Sequence, residues 1–184
     1  MAKSFGVSST PVREAFAVLE REGLLVSAPH KGVVVFQPTI EDLRETYDIR
    51  IPLEVLATER AVARIEDKDL IALDQLLAQM AASTERLADY GRLNQVFHER
   101  LYAVARLPKL EEMIHDLREA SAAYLLLFST ASLGAHDTQG EHERIVVACH
   151  ERDPEAAGQA VRAHLCTTVE RVSAQLPATS SGRA

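Results

Sequence analysis

The chain has 184 residues, 47% apolar and 5% aromatic, with no tryptophan and a net charge of −7. That length suits one domain, or one domain with a small appendage, and a core built from Leu, Val, Ile and Ala, of which Ala and Leu favour helix. No apolar run is long enough to cross a bilayer, and Cys149 and Cys166 lie far apart and outside any CxxC pair, which excludes a membrane span and a disulfide scaffold and predicts a cytoplasmic protein with two reduced, partly buried thiols.

An evenly spread −7 would argue against nucleic-acid binding. The charge is uneven: residues 1–38 hold Lys3, Arg13, Arg21 and Lys31 against Glu14, Glu20 and Glu22, a net +1 that leaves −8 for the remainder. A mildly basic head on an acidic body is compatible with nucleic-acid contact confined to the head.

Residues 8–23 read SSTPVREAFAVLEREG. Ser8 or Ser9 can cap a helix with Pro11 in its first turn, and Gly23 stops it. Val12, Phe16 and Leu19 fall on one apolar stripe. Next, LLVSAPHKGVVVF gives two short β-rich runs around Pro29, His30, Lys31 and Gly32, a hairpin signal with glycine at the tip. A helix followed by a hairpin with a basic tip matches the back half of a winged helix. Small hydroxyl residues and an arginine in the first turn of a recognition helix can reach phosphates and base edges. Ser8, Ser9, Thr10 and Arg13 cluster there, and Lys31 with Gly32 sits at the wing tip.

Gln37-Pro38 reads as a linker. Thr39 caps the next helix, and Asp42 approximates a capping box. From there the periodicity is helical throughout, with segments expected over 40–65, 68–83, 85–105, 109–131, 138–152 and 154–176. Pro52 lies inside the first and should kink or break it. Pro108 and Pro154 sit at helix starts, where a missing N–H costs little. The stretch 132–135 marks the clearest loop, and residues 177–184 read as a disordered tail.

The body carries the candidate chemistry. Asn94 and His98 in LNQVFHERLY stand at i, i+4, on one helical face. His142 opens a later helix after Glu141, and His164 lies midway in the last helix. Spacing alone does not bring these together, and a single histidine on a half-apolar helix is more often packed than ligating. In the first body helix Leu43, Tyr47, Arg50, Glu54, Ala57 and Ala61 share a stripe, so Arg50 points to the core side. Its partner is either Glu54, four residues on, or the carboxylate of a ligand. His30 belongs to the wing, and His115, His136 and His150 read as surface residues. Glu99 and Glu141 adjoin candidate ligands in sequence and are expected to point elsewhere.

The string FGVSSTPVREAFAVLEREGLL followed by PHKGVVV closely resembles the winged-helix head of GntR-type regulators. The Arg13-bearing turn matches the DNA-contacting turn of that head. Where the family usually has an arginine, this chain has Ser9, which removes one phosphate or guanine contact. The family's head has one further helix and most of another before this point, so the resemblance implies an N-terminally truncated head whose true start lies upstream. Residues 40–176 look like the all-helical effector domain of the FadR branch, the FCD domain. The implied fold class is mainly α: a partial winged helix over 1–38, then an antiparallel helical bundle over 39–176 for ligand binding and dimerisation.

Metal-binding members of that branch have an Asp four residues before the His of an FH pair, a His after Glu at the start of a later helix, and another before Leu. Asn94, His98, His142 and His164 occupy those positions. The resemblance therefore implies a divalent metal, with zinc first and nickel or manganese also suited to a nitrogen-rich site. Asn94 in place of Asp brings no charge, which favours an anionic ligand at the open positions. The function implied is a homodimeric, DNA-binding transcription regulator, with Arg50 and the metal binding a small organic acid that controls operator binding. Two alternatives stand beside it: a metal-dependent sensing domain without DNA binding, and a metallohydrolase, for which no general base accompanies the histidines.

Overall fold

The computed structural model describes residues 6, 8–21, 25–28, 32–35, 39–128 and 135–174. The head contains helix α1 (Ser9–Arg21) and strands β1 (Leu25–Ala28) and β2 (Gly32–Val35). The strands pair antiparallel with Leu25 opposite Val35 and Ala28 opposite Gly32. Gly32 has φ +74°, the left-handed region where a residue without Cβ carries no penalty, so this position closes the hairpin. Val12, Phe16 and Leu19 of α1 are half-buried, while Ser8, Ser9, Thr10 and Arg13 are exposed. The apolar stripe thus turns inward and the hydroxyl-rich first turn faces out. Arg13 donates from Nη2 to Ser9 Oγ at 3.1 Å, which orders the turn. Gly23, the wing tip with His30 and Lys31, the loop at 132–134 and the tail at 177–184 lie outside the described residues.

The body is a helical bundle of α2 (Ile40–Val62), α3 (Asp67–Ala81), α4 (Leu87–Ala103), α5 (Pro108–Phe128), α6 (Ala135–His150) and α7 (Pro154–Ser173). Thr39 caps α2 by accepting from the Asp42 N–H at 3.1 Å, and Asp153 caps α7 by accepting from the Ala156 N–H at 3.0 Å. Pro108 and Pro154 open α5 and α7 as expected. Of the kink or break expected at Pro52, the break does not occur: α2 runs through it. Pro52 and Asp48, whose carbonyl the missing N–H would have bonded, are both exposed, so water can satisfy the freed oxygen.

Helix α2 is the central element, packed most extensively against α7 and also against α5 and α4. Its predicted inner stripe is buried along its whole length, from Leu43 through Tyr47, Arg50, Glu54 and Ala57 to Ala61. Gly158 lets α7 approach closely, since a Cβ there would meet Glu59 at 2.9 Å. α3 pairs with α4 and α6, and α6 with α7. This arrangement turns one face each of α4, α6 and α7 toward a common interior. Cys149 is buried and Cys166 exposed, so the two thiols differ instead of both being partly buried. Burial pushes the Cys149 thiol up to about 12. Among the described residues, no helix is long and apolar enough to cross a membrane.

Candidate metal centre

His98 on α4, His142 on α6 and His164 on α7 converge, with one ring nitrogen from each lying within 4.8 Å of the others. His98 and His142 are fully enclosed and His164 is 5% exposed. Phe97 is also fully buried and sets its ring edge-on to His98 and His142, with centroids at 5.3 and 5.1 Å. It packs against both imidazoles.

Each ring is oriented through Nδ1. His98 Nδ1 lies 3.0 Å from the Tyr102 hydroxyl. That hydroxyl spends its proton on Glu54 Oε2 at 2.5 Å, so His98 Nδ1 is the donor. His142 Nδ1 donates to the Thr138 carbonyl at 2.7 Å. His164 Nδ1 donates to Glu141 Oε2 at 2.8 Å. A neutral imidazole has one N–H, so a neutral ring whose Nδ1 proton is engaged in this way carries a bare lone pair on Nε2. Burial keeps His98 and His142 neutral, pushing both well below the usual imidazole range. The Arg118 guanidinium adds to this at both.

The consequence is electrostatic. His98 Nε2 and His142 Nε2 face one another at 3.2 Å with no proton left to bridge them. Two lone pairs at that distance repel unless a cation lies between them. Zinc binds imidazole nitrogen at about 2.0–2.1 Å, so two nitrogens on one tetrahedral ion stand about 3.3–3.4 Å apart. The observed separation lies close to that. Asn94 is the remaining candidate ligand. It stands one turn before His98 on the same face of α4, and its Oδ1 is buried without any hydrogen-bond donor. A buried carbonyl oxygen left unpaired costs about 1–3 kcal/mol, a cost that a bound cation removes. The donor set therefore fits a divalent metal.

Behind the histidines lies a buried ionic network. Glu54 accepts from Arg50 Nε at 2.8 Å and from Arg118 Nη1 at 3.2 Å, in addition to Tyr102. Burial alone would raise the Glu54 carboxyl, but Arg50 and Arg118 outweigh it and hold the group below its usual range. Arg50 is 3% exposed and its guanidinium lies 4.3 Å from the Tyr47 ring centroid. Of the two partners open to Arg50 from sequence, the structure places Glu54 on its Nε. On the other flank, Glu141 Oε1 accepts from Arg171 Nη2 at 3.0 Å.

The expectation for Glu141 is corrected. It is buried and holds His164 directly, because the α6 turn that presents His142 also turns its neighbour toward α7. Glu99 does point away, accepting from Gln95 at 3.0 Å on the surface. His115 and His150 are half-exposed and lie beside Glu99 and Asp74 respectively, while the side chain of His136 is not among those described. Sequence reading missed Tyr102, Thr138, Glu54 as His98's indirect support, and Arg118. The first two were detectable: each lies four residues from the histidine it holds. The pairs joining α2 to α4 and α6 to α7 carry no such local signal.

The gntR family of bacterial regulatory proteins matches residues 1–35, and the FCD domain matches residues 45–167. The chain is 34% identical to an uncharacterized HTH-type transcriptional regulator, YdhC, of Bacillus subtilis (strain 168), over 89% of this chain and 75% of that protein. It is 28% identical to the HTH-type transcriptional repressor RspR of Escherichia coli (strain K12), over 91% of this chain and 75% of that one. Among solved structures, E. coli McbR/YncC superimposes with a TM-score of 0.76 at 25% identity, covering 95% of this chain and 84% of the other.

Proposed function

We propose a metal- and acid-responsive control of DNA binding for this chain, which belongs to the bacterial gntR family and carries its FCD effector domain. It is a DNA-binding transcription regulator and not an enzyme. In the proposed reading His98, His142, His164 and Asn94 hold a divalent metal, zinc first among nickel and manganese. The observation that carries it is the set of three Nδ1 hydrogen bonds, which leave three Nε2 lone pairs directed into one buried space.

When bound, the metal supplies a positive charge with open coordination positions that favour a carboxylate. The chain's own charges point the same way: Arg50, Arg118 and Arg171 outnumber Glu54 and Glu141 around the histidines. Arg50 supports the site through Glu54, and its role toward the acid is as part of that positive surround. The head over 1–38 reads DNA through Ser8, Ser9, Thr10, Arg13, Lys31 and Gly32, and the bundle over 39–176 dimerises and sets the spacing of two heads on a palindromic operator. The acid shifts operator affinity only by its differential affinity for the DNA-bound and free arrangements. The regulator acts in the cytoplasm.

Elemental analysis of the purified chain tests the centre. One divalent ion per chain is expected, lost in His98→Ala and in His142→Ala. An operator selected from random DNA should then be released by millimolar organic acid from the metal-loaded protein only. Retention of stoichiometric metal in both variants would refute the assignment.

A further inference from the structure

Helix α5 packs chiefly against α2 and meets α4 less closely. The reason lies in the side of α5 that looks toward α4. Glu111, Ile114, His115 and Arg118 stand at i, i+3, i+4 and i+7, one face of a helix, and three of the four are polar. Such side chains keep their contact with water and do not interlock as apolar ones do. The crease between the two helices therefore stays open, and it holds a cavity of about 290 Å³.

The inner wall of this cavity is apolar. Ile114 is 1% exposed and Tyr102 is 2% exposed. The rim is acidic, with Glu99 from α4 and Glu111 and Glu112 from α5. Glu111 accepts from the Leu107 N–H at 3.1 Å, and Glu99 lies 3.7 Å from His115. Among the described residues, Glu112 has neither a hydrogen bond nor an ion pair. The guanidinium of the lining belongs to Arg118, which turns Nη1 to Glu54, a carboxylate outside the cavity, at 3.2 Å. Negative charge thus prevails in the crease. On the far side of Arg118, Arg50 and Arg118 together outnumber Glu54, so one side chain divides two environments of opposite sign.

Arg118 supplies a second, independent observation. Its Nε is buried without a partner, whereas buried donors in native proteins are nearly always paired. An oxygen on a molecule filling the cavity would pair it. We propose that the crease between α4 and α5 is a second ligand site, separate from the histidine centre, and that it takes a small organic ammonium ion bearing an uncharged oxygen. The nitrogen lies among the glutamates of the rim, a short apolar body lies over Ile114 and Tyr102, and the oxygen accepts from Arg118 Nε. The volume equals that of roughly ten waters at about 30 Å³ each, which suits an amino alcohol of about five carbons. The rim carboxylates repel an acid, so this ligand and the proposed acid effector do not compete. The proposal stands on the crease and does not depend on the metal- and acid-binding reading.

The test uses the full chain after chelator treatment, so that no amine can ligate a metal. Three five-carbon probes, aminopentanol, pentylamine and pentanoate, are each followed by calorimetric titration. Aminopentanol should bind at millimolar concentration or below, and pentanoate should give no signal. Pentylamine, which lacks the oxygen, should bind about threefold more weakly or worse. Replacing Glu99→Gln and Glu112→Gln together should weaken both amines by about tenfold or more. Both side chains are exposed, so the melting temperature of that ligand-free variant should stay within about 2 °C of wild type. A control variant, Asp116→Asn with Glu119→Gln, removes two charges of α5 from outside the cavity and should leave amine binding within about twofold. Binding of neither amine, equal binding of pentanoate, amine binding that survives the rim variant, or an equal loss in the control variant overturns the site. Equal affinities of aminopentanol and pentylamine overturn the contact at Arg118. Each of these results leaves the metal and acid reading of the histidine centre standing.

Discussion

Replacing Glu141 by Gln probes the support of the centre without changing side-chain shape. The Glu141 carboxylate is 5% exposed and serves two donors at once, His164 Nδ1 at 2.8 Å and Arg171 Nη2 at 3.0 Å. An amide has one acceptor end. If its oxygen stays with His164, its NH2 faces the Arg171 guanidinium, donor against donor. If it flips, the NH2 meets His164 Nδ1, which must then accept, and the ring proton moves to Nε2 where the metal would bind. Either arrangement forfeits one charge-assisted bond, worth about 1.5–3 kcal/mol. Loss of such a supporting carboxylate typically weakens metal binding by about 10–100-fold, and about 1.4 kcal/mol per tenfold makes the two figures agree. Competition with a chromophoric chelator at pH 7.5 measures the effect, and the melting temperature of the metal-free variant checks the fold. An affinity within about threefold of wild type, with the fold intact, would refute the assignment of His164 as a ligand oriented by Glu141.

Other perturbations separate packing, charge and protonation. Asn94→Asp adds a negative charge one turn from His98; metal affinity should rise by about tenfold or more while acid affinity on the loaded protein falls, because the ion's charge is then partly compensated. Calorimetry with zinc, then with malonate, measures both, and unchanged affinities would remove Asn94 from the ligand set. Phe97→Ala should cost about 3–5 kcal/mol in urea unfolding and should also weaken metal binding, since the ring edges of His98 and His142 both rest on Phe97. For pH, His98 and His142 are held below 6.5 in the fold, so on acidification the unfolded chain takes up protons first and stability falls. Between pH 7.5 and 5.5 the metal-free protein should lose about 1.4 kcal/mol per histidine, about 2.7 kcal/mol for the pair. Unfolding free energies that stay flat over that window would contradict neutral, buried rings.

The local features of the fold are legible along the chain. The α2 stripe from Leu43 to Ala61 is buried as its spacing requires, Thr39 caps as read, and Pro108 and Pro154 open helices. Pro52 lies off that stripe, so its outward position follows from the same spacing; the helix continues through it because water can take up the freed carbonyl on that exposed face. Arg50 is legible only in part. Its inward direction follows from periodicity, while Glu54's engagement with Arg118 and Tyr102 depends on where α4 and α5 dock.

What the amino-acid order determines by itself is anything set within a helical turn or two: Asn94 beside His98, Tyr102 below it, Arg50 above Glu54, and the hydroxyl-rich first turn of α1 facing outward. These follow from the 3.6-residue period and need no partner. What only the tertiary structure decides is which of these local faces meet. The approach of His98 Nε2 to His142 Nε2 at 3.2 Å, the turn of Glu141 toward His164, and the isolation of Arg118 Nε arise between helices. Their positions are set by core packing around Phe97 and along α2, where burial and shape fix the geometry and no local spacing encodes it.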